Sequence, residues 1–372
     1  MMPLLSLCMI VKNEELFLED CLNSVKDLVD EVIIVDTGST DNTKEIARKF
    51  TVKIYDFKWC DDFAVARNES LKYATGDWIL VLDADEVISK EDHGRIKLNL
   101  DVPKEISGFL FIQRNYVNYE DDLTLKPIRG FNVKEGGSHS FIPSKNDKYA
   151  ESINASGWLP VPVARLFRRE QAFYSGIVHE DICASLKGKM ISTEIPIHHF
   201  GKMNNVSWEK KKILYESLGR KKIEIEKDHI AYFELGRQYL ANNKIEAAKQ
   251  MFLESININN SFWFSWFNLG GIHLVLDQLE KAEHCLLKAI QLNPGESSLY
   301  NNLAVTYAKK KKFEKAIAMF EHSLQIDPNQ ASIFKNMGLC YDELGDKNKA
   351  YLSFKKAIEL EPSLAETIKL GQ

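Results

Sequence analysis

A 34-residue repeat fills the C-terminal part of the chain and constrains its fold more than any other feature. Four units begin at residues 229, 263, 297 and 331 and follow one another without insertion or deletion. Each unit has large apolar or aromatic residues at positions 4 and 7 and small residues at positions 8 and 20. The small residues let two helices approach closely, and the large residues fill the space between helices. The repeat therefore predicts stacked helix pairs that form an all-α solenoid.

The pattern resembles the tetratricopeptide repeat. The resemblance implies an extended concave surface that binds a partner, on which Trp263 and Trp266 are candidate anchors. Both tryptophans can instead pack between helices. Ten residues follow Pro362, too few for a full capping helix, so the last repeat is expected to be frayed or covered.

The N-terminal half alternates strand-like and helix-like segments, which is typical of an α/β layer. The expected strands are 4–11, 31–36, 52–57 and 78–82, and the expected helices are 14–28, 40–50 and 63–74. Segment 115–160 is polar and is expected to be rich in loops. Residues 204–228 are expected to form a charged helix whose lysines make a solvated face.

Length and composition bound the alternatives. A chain of 372 residues exceeds one ordinary core, so two domains are expected. We expect an α/β domain at 1–201, a linker helix at 202–228, four repeats at 229–364 and a tail at 365–372. The net charge of −5 argues against nucleic-acid binding. Six scattered cysteines and no apolar run of membrane-spanning length favour a cytoplasmic location.

Three polar loops follow predicted parallel strands. They are Lys12–Glu15, Asp36–Asp41 and Asp83–Glu86. Ligands of open α/β sheets bind at the carboxyl ends of the strands, so the three loops predict one site. Asp83 and Asp85 stand two residues apart after a buried strand, and such a carboxylate pair suits Mg²⁺ or Mn²⁺, which also bridge phosphate oxygens.

The same half resembles the family 2 glycosyltransferases. The resemblance covers about residues 4–201, and its closest subgroup includes bacterial peptide S-glycosyltransferases. It rests on ordered motifs at 7–15, 35–43, 66–68, 76–77, 83–85, 165–168, 176–180 and 198–201.

The resemblance implies a GT-A fold, a Rossmann-like sheet that binds a nucleoside diphosphate sugar. It assigns Asp83 and Asp85 to the metal motif, with Asp85 favoured as the direct ligand. His199 corresponds to the histidine that approaches the metal or the diphosphate. In a strand only one of His198 and His199 can face the site, and the family register favours His199. Both histidines can instead simply end a strand.

Further residues are assigned to the nucleotide by the same resemblance. Asp36 and Arg67 correspond to positions that line the nucleotide, and Asp83 contributes there too. Thr37 stands where many members have a second aspartate that contacts uracil. UDP is therefore favoured as the nucleotide, although this departure weakens the case for it.

The resemblance also assigns Glu180 as the general base, with Asp181 as the alternative. A carboxylate that accepts the acceptor's proton suits a single displacement that inverts the anomeric centre. The neighbouring His179 can instead form a buried pair with Glu180. Arg165 and Arg168 are either part of the site or surface charges, and Cys60 is expected to be a packing residue.

Taken together, the sequence predicts a metal-dependent, inverting glycosyltransferase with a protein, peptide or glycan acceptor that the repeats recruit. The alternative is an interaction scaffold whose nucleotide-binding domain is not catalytic. A lipid-linked or cell-surface glycan handled at the membrane remains a further possibility for the acceptor.

Overall fold

The computed structural model describes residues 3–51, 53–117, 142–144, 146–170, 172–177, 180–201 and 205–368. They form two compact units that divide between Leu218 and Gly219. No helix within these ranges is long and apolar enough to cross a bilayer.

The N-terminal unit is built on a mixed β-sheet. Its strands are β1 (Leu5–Val11), β2 (Glu31–Asp36), β3 (Ile54–Asp56), β4 (Trp78–Val81), β5 (Glu86–Val87), β6 (Ile106–Val117), β7 (Ile142–Pro143), β8 (Gly157–Arg168) and β9 (Lys189–His199). Its helices are α1 (Leu18–Val25), α2 (Thr43–Arg48), α3 (Phe63–Lys72), α4 (His93–Leu100) and α5 (Lys148–Ser152), followed by α6 (Asn205–Glu226), which continues into the second unit.

The strand order is β3-β2-β1-β4-β8-β6-β9-β5, with β7 paired to β8. Strands β1 to β4 are mutually parallel, as the sequence predicts. Strand β8 is antiparallel to both β4 and β6. Short β5, directly after the acidic motif, pairs with the end of β9 and sets Glu86 opposite His199. Strand β9 is parallel to β6, so the sheet joins a parallel half, β1 to β4, to a mixed half, β5 to β9.

Both faces of the parallel half are buried. Leu5, Leu7 and Met9 of β1 pack into one core, while Cys8 between them packs into a second core on the opposite face. Burial on both faces explains the continuous apolar runs of these strands.

Some predicted bounds differ from the structure. Helix α1 begins four residues later than expected, because Glu14–Phe17 forms a turn. The loop-rich reading of 115–160 is wrong for its described parts, since β6 extends to Val117 and β8 begins at Gly157. Residues 118–141 lie outside the described residues.

The second unit is the predicted helical array. Its helices are α7 (His229–Ala241), α8 (Ile245–Ile258), α9 (Trp263–Val275), α10 (Leu279–Leu292), α11 (Ser297–Lys309), α12 (Phe313–Ile326), α13 (Ala331–Glu343) and α14 (Lys347–Leu360). The first helix of each pair begins at the predicted first position of its repeat. Both helices of the fourth repeat are complete, so the expected fraying is not observed, and a 3₁₀ turn at Pro362–Glu366 follows.

Small residues at position 8 are required by the close approach of the paired helices. A Cβ at Gly236 would lie 2.7 Å from a ring carbon of Phe252, and one at Gly338 would lie 2.5 Å from a ring carbon of Phe354. Alanines at position 20 (Ala248, Ala282, Ala316 and Ala350) are buried. The repeat pattern therefore records helix–helix packing, as the sequence predicts.

The two candidate anchors in the array both contact the repeat core, and their predicted anchor role stays a prediction. The indole N–H of Trp266 donates to the carbonyl of Asn260 at 2.9 Å. Trp263 stacks on Phe264 with ring centroids 3.8 Å apart. Both tryptophans are partly buried against the repeat cores.

Candidate active site

The first two polar loops lie together at the carboxyl ends of β1 and β2. The N–H of Asn13 donates to Ser39 Oγ at 3.0 Å, and the N–H of Thr40 donates to Asn13 Oδ1 at 2.8 Å. The N–H of Glu14 donates to Thr43 Oγ1 at 2.8 Å. Asn13 has φ 55°, a left-handed conformation that asparagine tolerates better than most residues. The predicted convergence is therefore observed for the first two of the three loops.

Two arginines enclose Asp83. Arg67 Nη2 donates to Asp83 Oδ1 at 2.6 Å, and Arg165 Nη2 donates to Asp83 Oδ2 at 2.7 Å. Arg165 also donates to Oε1 of the fully buried Glu86 at 2.7 Å. The alternative that Arg165 is a surface charge is therefore wrong.

A β-bulge aims Arg165 into this cluster. In the pairing of β8 with β6, Phe109 lies opposite Leu166 and Leu110 lies opposite Ala164, so Arg165 is the extra residue. Bulges re-aim side chains, and they are frequent beside active sites. Arg168, in contrast, donates to backbone carbonyls at Val102 and Ile106 and has a structural role.

The charges of the cluster stabilise one another. Burial opposes ionisation of Asp83, but the guanidinium groups of Arg165 and Arg67 outweigh it and hold the pKa of Asp83 well below its usual range. Burial raises the pKa of Glu86, and the negative charge of Asp83 acts in the same direction. Glu86 is thus a weaker acid than Asp83.

Arg67 also holds Glu180. Its Nε donates to Glu180 Oε1 at 2.7 Å, so one guanidinium joins the predicted base to the first aspartate of the acidic motif. The amide of Asn68 donates to the carbonyl of Tyr174 and accepts from its N–H, at 2.8 and 2.7 Å. These bonds attach the segment before Glu180 to α3. Glu180 is therefore held both by its own contact with Arg67 and by the attachment of the preceding segment.

Asp181 stands outside this network. It is exposed, its backbone bridges to Ser175, and its carboxylate accepts the N–H of Cys183 at 2.9 Å. The geometry favours Glu180 over Asp181 as the base. Val178 and His179, and with them the reading of His179 as a buried partner of Glu180, lie outside the described residues.

Asp85 faces His199 on the other side of the acidic motif. His199 Nε2 lies 3.5 Å from Asp85 Oδ1, and His199 Nδ1 is hydrogen-bonded to Asn115 Oδ1 at 2.7 Å. Since the amide oxygen of Asn115 can only accept, Nδ1 carries the proton and Nε2 is directed toward Asp85. Lys211 Nζ lies 3.0 Å from Asp85 Oδ2.

Electrostatics keep Asp85 ionised. Burial opposes its charge, yet His199 and Lys211 lower the pKa of this carboxylate below its ordinary value. Burial also opposes a charge on His199, but the carboxylate of Asp85 raises the pKa of the imidazole. The pair therefore presents a negative oxygen and an imidazole nitrogen at one point.

The two histidines at the end of β9 point to opposite faces, as strand geometry predicts. His198 is hydrogen-bonded to the hydroxyl of Tyr116 at 2.7 Å and stacks on Tyr149. Burial lowers the pKa of His198 to about 4, so it is neutral near pH 7. His199 is the histidine that faces the acidic motif.

The geometry suits a divalent cation at Asp85. Mg²⁺ and Mn²⁺ accept one or two protein groups together with phosphate oxygens. A Cβ at Gly201 would lie 2.4 Å from Asp85 Oδ2 and 2.9 Å from His199 Nε2, so glycine keeps this space open. No cluster of three His, Cys, Asp or Glu side chains suited to an ion occurs among the described residues. The remaining ligands would have to come from a bound diphosphate or from water.

Asp83 is placed differently. Both of its oxygens accept hydrogen bonds from arginines, so direct contact with a cation would require one of these bonds to be released. Its predicted role as a metal ligand stays a prediction.

Two buried polar atoms of the predicted nucleotide residues have no hydrogen-bond partner among the described residues. Asp36 Oδ1 accepts the N–H groups of Gly38 and Ser39, whereas its buried Oδ2 has no partner among the described residues. Arg67 Nη1 is likewise buried without a described partner. The Thr37 hydroxyl donates to the carbonyl of Val11 at 3.1 Å, so toward a base it can act only as an acceptor.

Several residues of the site are not assigned by the sequence analysis. Glu14 and Glu86 belong to the predicted loops. Their positions in sequence beside other carboxylates could have identified them as site residues. Asn115 lies in a segment expected to be a loop. The expectation that the lysines of 204–228 form a solvated face is wrong for Lys211, whose ammonium contacts Asp85. Cys60 is exposed, so the predicted packing role is wrong.

The N-terminal domain has an α/β sheet with an acidic motif at the carboxyl ends of its parallel strands. A helical array follows it in the chain. Comparison with known proteins identifies the families of both parts. Residues 6–171 match the family described as Glycosyl transferase family 2. Residues 229–262, 264–329 and 295–362 match tetratricopeptide repeats. The chain thus carries a family 2 glycosyltransferase domain and C-terminal tetratricopeptide repeats.

Individual proteins are similar to parts of this chain. A TPR repeat-containing protein of Synechococcus elongatus is 49% identical over 106 residues, which are 28% of this chain and 26% of the relative. The SPbeta prophage-derived glycosyltransferase SunS of Bacillus subtilis is 45% identical over 96 residues, 25% of this chain and 23% of the relative. The matches thus span about a quarter of these relatives. A crystal structure of MamA covers 43% of this chain and 94% of its own, with TM-score 0.40 and 22% identity.

Proposed function

We propose that the chain is an inverting glycosyltransferase that moves a sugar from a nucleoside diphosphate, with UDP favoured, to a protein, peptide or glycan acceptor. The observation that carries the proposal is the single guanidinium of Arg67, which lies 2.7 Å from Glu180 and 2.6 Å from Asp83. It fixes a candidate base beside the acidic motif. The family match and the similarity to the glycosyltransferase SunS support the reaction class.

In this proposal Glu180 accepts the proton of the acceptor as the nucleophile attacks the anomeric carbon. The bond from that carbon to the diphosphate oxygen breaks, and its electron pair leaves with the nucleoside diphosphate. One displacement from the face opposite the leaving group inverts the anomeric centre. Arg67 holds the carboxylate of Glu180 in place, and in this role it is a positioning residue.

Asp85 and His199 would hold a Mn²⁺ or Mg²⁺ ion. The ion supplies stabilisation of the negative charge on the departing diphosphate. The unpartnered Oδ2 of Asp36 and the acceptor capacity of Thr37 are suited to the N–H and O–H donors of a nucleoside. The unpartnered Nη1 of Arg67 is a donor suited to a phosphate or sugar oxygen.

The experiment that tests the proposal is Mn²⁺-dependent release of UDP from a panel of UDP-sugars. Asp85→Asn is expected to lower this release at least ~100-fold, because a cation contributes several kcal/mol of charge stabilisation. Asp101→Asn, an exposed aspartate at the end of α4, is the matched control and should keep the wild-type rate.

The contrary result also has a defined meaning. If wild-type protein binds UDP but shows no turnover across donors of several nucleotides, the alternative of a scaffold with a non-catalytic nucleotide-binding domain is favoured.

We further propose that the repeats recruit the acceptor, as stacked repeats offer an extended binding surface. A chain that lacks residues 229–372 is expected to keep donor hydrolysis and to lose transfer to the natural acceptor by at least ~10-fold, the loss of about 1.4 kcal/mol of recruitment. Rates of both reactions are compared in the same preparation. Unchanged transfer would rule out recruitment, and activity that sediments with membranes would point to a lipid-linked glycan.

The cytoplasm is the proposed location. All six cysteines are free thiols, which suits a reducing compartment.

A further inference from the structure

Lys211 lies against the aspartate that is proposed to bind the metal ion. Its Nζ is 3.0 Å from Asp85 Oδ2 and 3.7 Å from Glu14 Oε1. Asp85 is buried, with 3% of its side chain exposed, whereas Lys211 retains 29%. The ammonium therefore neutralises a carboxylate that water hardly reaches.

The position of Lys211 is fixed by its helix. Leu214, Tyr215 and Leu218, on the following turns of α6, pack with Phe63 and Ile177. Because Phe63 begins α3, the helix that carries Arg67, α6 is packed onto the element that holds the site together. A lysine held in this way differs from one on a mobile, solvated face.

Carboxylate side chains from two separate loops contact the ammonium. Asp85 and Glu14 contact it, and Asp83 lies further along the same motif. A lysine side chain is ordinarily protonated near pH 7, so the group at this position is an ammonium cation.

We propose that Lys211 is a tethered counter-ion of the donor site, which competes with the divalent cation for Asp85 when no donor is bound. The inference rests on the proposed metal role of Asp85. Two cations next to one carboxylate repel each other, so the ion binds weakly to the free protein. A bound diphosphate supplies the further negative charge that both cations need, and Lys211 then pairs with phosphate oxygens.

The competition has a measurable consequence of unusual sign. Removing the positive charge of Lys211 is expected to tighten binding of Mn²⁺ alone by at least ~10-fold. The same change is expected to weaken binding of UDP in the presence of Mn²⁺, because a cation that pairs with phosphate is lost. A lysine with a merely structural role would not move the two affinities in opposite directions.

The test uses the full chain and electron paramagnetic resonance to measure free Mn²⁺. Wild type, Lys211→Met and Lys211→Arg are titrated with Mn²⁺ alone and with Mn²⁺ plus UDP. Lys211→Arg keeps the charge and should behave like wild type. Lys72→Met, which removes an exposed lysine paired only locally with Glu69, controls for the change in net charge.

Each outcome decides between the two proposals. Tighter binding of Mn²⁺ to Lys211→Met, with wild-type behaviour of Lys211→Arg, supports the counter-ion. Equal Mn²⁺ binding to wild type and Lys211→Met overturns it and leaves the proposed function standing. If no variant binds Mn²⁺ even with UDP, the metal role of Asp85 fails and the counter-ion fails with it. Thermal melts of each variant verify that it is folded. If Lys211→Met does not fold, Lys211→Arg is the variant that preserves the contact with Asp85.

Discussion

Replacement of Glu180 by glutamine is expected to lower the turnover number at least ~100-fold, the lower range for loss of a positioned base. Glutamine keeps the size of the side chain and an oxygen that can accept the Nε–H of Arg67, but it cannot take up the acceptor's proton. Binding of the donor should therefore stay near that of wild type. Initial rates and UDP-sugar affinity, measured on the same variant, separate the two effects.

Asp181→Asn is the matched control for this prediction. Asp181 is adjacent in sequence and also acidic, but it is exposed, and its carboxylate accepts the N–H of Cys183 two residues later. It should retain nearly full turnover. If Glu180→Gln is as active as wild type while Asp181→Asn is inactive, the base is Asp181 and the assignment from the Arg67 contact is wrong.

Replacement of Arg67 by methionine is expected to destabilise the N-terminal domain by about 3 kcal/mol, the lower end of the range for breaking a buried ion pair. The loss leaves Asp83 and Glu180 without one shared counter-ion. The upper end is not expected, because Arg165 still contacts Asp83, and the Asp83 side chain is 35% exposed. Urea denaturation of wild type and variant measures the change in unfolding free energy.

Two further variants complete the comparison. Arg48→Met removes an exposed arginine paired with Glu45 and should change stability by no more than ~0.5 kcal/mol. Arg67→Lys keeps the charge but cannot donate in two fixed directions at once, so it should recover stability better than turnover. A stable, fully active Arg67→Met variant would show that neither carboxylate depends on Arg67.

The parallel half of the sheet could be predicted because its physics is local. Apolar runs such as Ile33–Val35 and Ile79–Leu82 are buried on both faces. The polar residues that follow each run mark where it ends. The repeats could be placed to the residue, since their period fixes which positions must be small.

The mixed half of the sheet, β5 to β9, could not be predicted in the same way. Strands β6 and β8 are long, but they are stabilised by pairing with each other across the intervening chain. Pro160 and Pro162 in β8 also read as loop residues in sequence. The direction of the Arg165 side chain depends on a β-bulge between β6 and β8. The alternation of side chains between the two faces of a strand does not predict where a bulge occurs.

The contact of Lys211 with Asp85 could not be predicted, for a related reason. In sequence its helix is a run of charged residues with a weak pattern, and such a run usually faces water. Its contact with Asp85 joins residues that are 126 positions apart. Tyr215 and Leu218 pack with Phe63 and Ile177, and this packing orients α6 so that Lys211 faces Asp85.

The bonds that complete the site join distant parts of the polypeptide. Arg67 and Glu180 are 113 residues apart, and Asp83 and Arg165 are 82 apart. Closing such long loops costs conformational entropy before any contact repays it, so contacts of this kind tend to slow folding. The parallel strands β1 to β4 can assemble from neighbouring segments, whereas the ionic centre also needs residues from the final third of the domain. During synthesis, catalytic competence should therefore arise as a late event, after most of the parallel sheet has already formed.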